Sequence, residues 1–226
     1  KAIEWLQKAG PVLKRTAALG TSVFATVSRL DGQFGLAAEL VQMLRPNISG
    51  GVLATRGNHD NWTGARECDQ QLSAAGALML ENSAVRLTAD RGLEEGFGPA
   101  GLCLAGVGDY WTSQVLLEET LASVPLNTPR LVLSHNPDVA ERFSKPLVDL
   151  MVSGHTHGGQ VRLPLLGAPI VPSSFGQKYA AGWCQGPGYP VYVTRGVGVG
   201  GLPIRFGVRP EVTLLTLQCR PARCEA

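Results

Sequence analysis

Short apolar runs alternate along the chain with segments whose apolar residues recur every three or four positions. Leu36, Leu40 and Met43 recur at helical spacing, which predicts a helix over 36–44, ended by Arg45-Pro46-Asn47. A short buried strand is expected over 51–55. A second helix is expected over 63–75, with Ala65, Cys68 and Leu72 on its inner face. Further strands are expected over 78–80, 84–87 and 102–107, and a helix over 116–121. The second half continues with strands over 130–134, 150–153, 191–194 and 212–217, and a helix over 137–143 opened by Pro137. Strands spread along the whole chain with helices between them argue for one layered α/β domain over 1–226. Residues 91–100 hold Gly92, Gly96, Gly98 and Pro99 and read as a surface loop.

Four histidines fall just after three of these strands. His59 lies in Gly57-Asn58-His59-Asp60, His135 follows 130–134, and His155 and His157 lie in Gly154-His155-Thr156-His157-Gly158-Gly159-Gln160. Ligands of layered α/β folds bind at the carboxyl ends of strands. A lone His in such a place is ordinarily a loop residue bonded to backbone. Four of them on three strand ends form a constellation, and imidazole is the commonest metal ligand. Imidazole with an amide or carboxylate oxygen suits zinc, iron or manganese, and no thiolate is present in the motifs.

These motifs, in this order and spacing, resemble those of the calcineurin-like metallophosphoesterase superfamily, and most closely its bacterial envelope-type phosphodiesterase branch. The resemblance covers residues 50–217. It implies a four-layer sandwich of two mixed sheets flanked by helices. It also implies metal-dependent hydrolysis of a phosphomonoester or phosphodiester. Carried over residue by residue, it makes Asn58, His135 and His155 ligands of one metal and His157 a ligand of another. His59 becomes the group that protonates or neutralises the substrate phosphate, and Asp60 the residue that orients His59. One or two divalent ions (Mn, Zn or Fe) and a small phosphorylated substrate, lipid-linked or a nucleotide-sugar, follow from the same resemblance.

The sequence departs from the family pattern upstream. No His precedes His59, and Asp31 is the only Asp before Asp60, so the family's Asp-x-His and Gly-Asp motifs are missing. Ser28 stands where the bridging Asp belongs if 23–26 is taken as the strand leading into it. Residues 1–35 are therefore atypical. A truncated or frame-shifted chain, a single-metal enzyme and a degenerate, non-catalytic metal-binding domain of the same fold all fit that departure. Lys1 rather than Met opens the chain, in keeping with a missing or processed N-terminus.

Other candidates are weaker. Asp109, after the 102–107 strand, is expected to line the substrate cleft, and Arg195 to bind an anionic group, with Arg205 a second candidate. Trp62 and Trp111 read either as an apolar wall for substrate or as packing. Asn47 and Asn61 match the glycosylation pattern, a short match common by chance.

Composition narrows the classes. A net charge of +2 and 6% aromatic residues argue against a nucleic-acid partner. Five cysteines without a C-x-x-C pair read as reduced thiols, although Cys219 and Cys224 would be able to pair in an oxidising compartment. No run of 18 apolar residues exists to span a membrane. A soluble chain, cytoplasmic or peripheral to a membrane, is expected.

Overall fold

The computed structural model describes residues 23–24, 34–45, 51–90, 92–98, 100–144, 147–200 and 204–217. Ser28, Asp31, Asn47, Cys219 and Cys224 lie outside the described residues. Strand β1 (Val23–Phe24) precedes helix α1 (Phe34–Leu44), β2 (Val52–Ala54), α2 (Asn58–Ala75) and β3 (Ala77–Met79). The three strands form a parallel sheet ordered β1-β2-β3. Next come β4 (Ser83–Leu87), β5 (Leu93–Glu94), β6 (Leu102–Gly106), α3 (Leu117–Leu121), β7 (Arg130–Ser134), β8 (Leu150–Ser153), β9 (Gly182–Gln185) and β10 (Pro190–Val193). They build a seven-stranded sheet ordered β5-β4-β6-β7-β8-β10-β9. Its centre, β6-β7-β8-β10, is parallel, and both margins are antiparallel.

The period of two along the strands generates the layers. In β6, Leu104 faces one side while Cys103 and Ala105 face the other. Leu131 and Leu133 of β7 and Val152 of β8 share the side of Leu104, and Val132 and Met151 share the side of Cys103. The Leu104 side packs against Leu53 of β2, which joins the two sheets face to face. The Met151 side is covered by Leu117 and Leu121 of α3, by Val139 and Ala140 of a 3-10 turn (Pro137–Arg142), and by Tyr179 of another (Gly176–Tyr179). Val52 and Ala77, on the remaining face of the small sheet, pack against Leu40, Val41 and Leu44 of α1 and Ala75 of α2. Three apolar interfaces therefore separate four layers: helix, sheet, sheet, helix. Each buried Leu contributes about 1.5–3 kcal/mol to that stack.

Several sequence expectations change. On α1, Met43 is exposed, and the buried face is instead Ala37, Leu40, Val41 and Leu44. Helix α2 begins at Asn58, five residues early, because the Asp60 carboxylate accepts the Gly57 backbone N–H (2.8 Å) and caps the first turn. The helix kinks at Gly64 (φ 159°), close to where periodicity predicted its start. The 137–143 segment is 3-10 rather than α, and 212–217 forms no strand. Val212 and Leu215 of that segment still contribute side chains to two of the cores. The described part of the small sheet is parallel rather than mixed. Strand β5 lies inside the expected 91–100 loop. Cys68, Cys103 and Cys184 are free thiols, the first two buried, and burial pushes the Cys68 thiol up to about 12.

Candidate metal centre

Four strand ends converge on one rim. Strands β7 and β8 pair in register with Ser134 opposite Ser153. The residues that follow them, His135 and His155, therefore emerge side by side. Strand β2 leads through Gly57 into the first turn of α2, which carries Asn58 and His59. Strand β6 leads into the turn holding Asp109 and Trp111.

Asn58, His135 and His155 are buried and meet at their polar atoms. His135 Nε2 lies 3.0 Å from Asn58 Oδ1 and 3.1 Å from His155 Nδ1. Burial, helped by the neighbouring imidazoles, holds the His135 ring well below its usual pKa. Burial pushes His155 down to about 4 against the opposing pull of Asp109, and His157 down to about 4 with help from Arg205. All three rings are neutral near pH 7 and present lone pairs.

This donor set fits a divalent ion. Bonds of about 2.0–2.1 Å in a tetrahedral shell put neighbouring donors about 3.3–3.4 Å apart, near the separations observed. Among the described residues no three His, Cys, Asp or Glu side chains form a metal-holding group; here the third donor is the Asn58 amide oxygen. The other ring nitrogen of His155, Nε2, is buried without a hydrogen-bond partner.

Local backbone supports the arrangement. His155 (φ 66°) and His157 (φ 52°) both adopt the left-handed conformation, uncommon for such residues and a form of strain that concentrates at functional sites. Gly57 lets the α2 entry press on a ligand: a Cβ there would sit 2.7 Å from the His135 ring. His157 opens a 3-10 turn and is fixed by a backbone hydrogen bond with Gly198.

A chain of hydrogen bonds ties the surrounding loops together, and the sequence gave no signal for it beyond isolated polar residues. Arg56 pairs with Asp69 and Glu81 and donates to Asn61 Oδ1 (2.8 Å). Asn61 Nδ2 donates to Thr112 Oγ1 (2.7 Å), and Thr112 Oγ1 donates to Asp109 Oδ1 (2.8 Å). The same oxygen accepts the Trp111 N–H (3.0 Å), and the Trp111 ring stands edge-on to His155 with centroids 4.4 Å apart. Asn61 is thus committed to this network.

The remaining candidates land differently from expectation. Asp109 does not line an open cleft; it is fully buried, one oxygen shared by the turn donors and the other without a partner. Arg195 pairs with Glu211 (3.0 Å). Arg205 binds no open groove, because its guanidinium donates to the carbonyls of Arg195, Gly196 and Gly198 and staples that loop. Asp60 caps α2, and that cap is its hydrogen bond to the motif; desolvation raises its pKa to about 6 against the Gly57 N–H. His59 is half-buried, with Trp62 edge-on at 5.0 Å. Trp62 and Trp111 are exposed, 60% and 47%, so each stands at the rim beside a site histidine rather than in a core.

No family model matches the chain. It is 40% identical over 171 residues to phosphodiesterase YaeI of Escherichia coli, covering 74% of this chain and 58% of that protein. It is 33% identical over 181 residues to the uncharacterized metallophosphoesterase YkuE of Bacillus subtilis, covering 79% and 60%. Against an uncharacterized metallophosphoesterase of Aquifex aeolicus it is 31% identical over 208 residues, covering 86% and 71%. The chain thus spans three fifths or less of the length of the first two relatives.

Proposed function

The chain belongs to the metallophosphoesterase family, and on that premise we propose that it hydrolyses a phosphomonoester or phosphodiester at the rim formed by Asn58, His135 and His155. The observation that carries the proposal is the meeting of one amide oxygen and two neutral imidazole nitrogens at 3.0 and 3.1 Å. These three side chains would hold a manganese, zinc or iron ion. Such an ion, when bound, lowers the pKa of a coordinated water from about 15.7 towards about 7.

The chain's own groups divide the remaining work. Asn58 and His59 occupy the first turn of α2, whose dipole favours a phosphate oxygen. His59, outside the trio, donates a proton to the leaving oxygen or neutralises charge on the phosphoryl group. Trp62 and Trp111 give the rim two apolar edges for the organic part of a small substrate, lipid-linked or a nucleotide-sugar. His157 stands on the turn that follows His155 and would serve a second ion.

The test is hydrolysis of bis-p-nitrophenyl phosphate and p-nitrophenyl phosphate by the purified chain with added manganese or zinc. Metal-stimulated turnover that disappears in His155→Ala supports the proposal. Turnover indifferent to metal or to His155→Ala contradicts it.

One observation favours a second reading. The sequence holds no His before His59 and a single Asp, Asp31, before Asp60, so a second ion would find few ligands beside His157. A non-catalytic metal-binding domain of the same fold binds one ion or none and hydrolyses neither substrate. Metal content per chain, measured beside turnover, separates the two readings.

A further inference from the structure

The segment directly after the His157 turn projects into solvent as a hydrophobic hairpin. Leu163 and Gly167 bridge antiparallel, their N–H and C=O groups exchanging bonds of 2.8 and 3.0 Å. Leu165 and Leu166 form the tip, 107% and 71% exposed. Leu165 is also left-handed (φ 67°), a conformation uncommon for a bulky residue. Its side chain is thus held outward without gaining any packing in return. Phe206 (57% exposed) joins the patch through a bridge to Val161, and Ile170 (78%) follows the hairpin. The base is joined to the residue that ends the His157 turn: Phe206 N–H donates to Gln160 O at 2.8 Å, and Gln177 Nε2 donates to Leu166 O at 3.3 Å.

Charge singles out the same region. Residues 150–210 contain no Asp or Glu; of their five cations, Lys178 pairs with Glu141, Arg195 pairs with Glu211 and Arg205 binds loop carbonyls, while Arg162, beside the tip, and Arg209 are exposed. Among the described residues, that span also carries eight of the fifteen exposed large apolar side chains. A contiguous exposed apolar patch marks an interaction surface. An apolar tip flanked by an exposed cation, Arg162, is the pattern of a surface that enters a bilayer interface carrying anionic lipid.

We propose that the 163–167 hairpin docks the protein on an anionic lipid surface, Leu165 and Leu166 entering the headgroup–acyl boundary while Arg162 meets the headgroups. The docking places the metal rim, a few residues upstream, beside the membrane. It does not depend on catalysis, so its failure and that of the phosphoesterase reading are separately visible.

The experiment is co-sedimentation with vesicles of phosphatidylcholine containing about one third phosphatidylglycerol, beside pure phosphatidylcholine vesicles. The expected result is binding to the anionic vesicles that weakens with salt. Leu165→Asp with Leu166→Asp should reduce it at least about tenfold, and Arg162→Ala about fivefold. Leu165→Asn, which tolerates the left-handed backbone, guards against a folding artefact, and circular dichroism should match wild type in all variants. Absence of binding to anionic vesicles overturns the proposal, as does binding equal in wild type and the leucine variants. A change in self-association without vesicles, with vesicle binding unaltered, assigns the hairpin to a second copy of the chain and also overturns it.

Discussion

Replacing Gly57 with Ala tests the ligand role of His135 by crowding its ring. The Gly57 backbone is extended (φ −105°), so Ala adopts it without strain. The added Cβ would lie 2.7 Å from the His135 ring, where ordinary contacts begin at 3.4 Å. The ring must retreat by about 0.7 Å, against a tolerance of about 0.2 Å for a metal–ligand distance. His135 Nε2 is the atom within 3.0 and 3.1 Å of both other donors, so its retreat opens the trio. Metal affinity should fall about 10–100-fold, the scale on which misplaced supporting groups act. The crowding itself should cost about 1–3 kcal/mol of stability. Gly35→Ala serves as the control: its nearest outside atom would be 3.8 Å away, and no crowding follows. Calorimetric titration of zinc or manganese into the three proteins reads affinity, and a metal-free melt reads stability. Gly57→Ala with native-like melting and an affinity within about threefold of wild type would refute the placement of His135 in the metal shell.

Other outcomes are expected. His59→Ala should keep metal affinity and lose about 10²–10⁴-fold in turnover, read by calorimetry and by p-nitrophenol release. Metal at about 100 times its Kd should stabilise the chain by about 2.7 kcal/mol, raising Tm by roughly 5–10 °C; chelator should reverse the rise in a thermal scan. Asp109→Ala leaves the half-buried backbone N–H groups of Trp111 and Thr112 and the Thr112 hydroxyl without their acceptor, which should cost about 1–3 kcal/mol in a urea melt and alter Trp111 emission as the ring leaves His155. Gly35→Ala, within α1, should raise stability by about 0.4–1 kcal/mol, measured the same way.

The core strands were legible because their period of two is local: Leu131-Val132-Leu133 declares two faces whatever surrounds it. The side-by-side emergence of His135 and His155 followed from strand ends, since parallel neighbours in register deliver their following residues together; that Asn58 joins them was implied only by the resemblance of the motifs. What escaped the sequence depended on distant partners. The 212–217 segment has strand-like residues, yet no strand accepts it. The sequence left Trp62 and Trp111 open between a substrate wall and packing; the turn built on Asp109 is what puts Trp111 against His155 at the surface. Asp109 and Arg195 carry charges that suit a substrate, but Asp109 Oδ1 is taken up by a turn and Arg195 pairs with Glu211. The early start of α2 turned on a single carboxylate, Asp60, reaching back to cap it.

The most direct test of the metal centre is calorimetric titration of zinc into wild type, His135→Ala and His157→Ala. His135 touches both other donors of the trio, so its loss leaves two protein ligands and should abolish binding. His157 stands outside the trio, and its loss should change the affinity of that site far less. Equal and complete loss of zinc in both variants would contradict the assignment of Asn58, His135 and His155 as the shell that holds the metal.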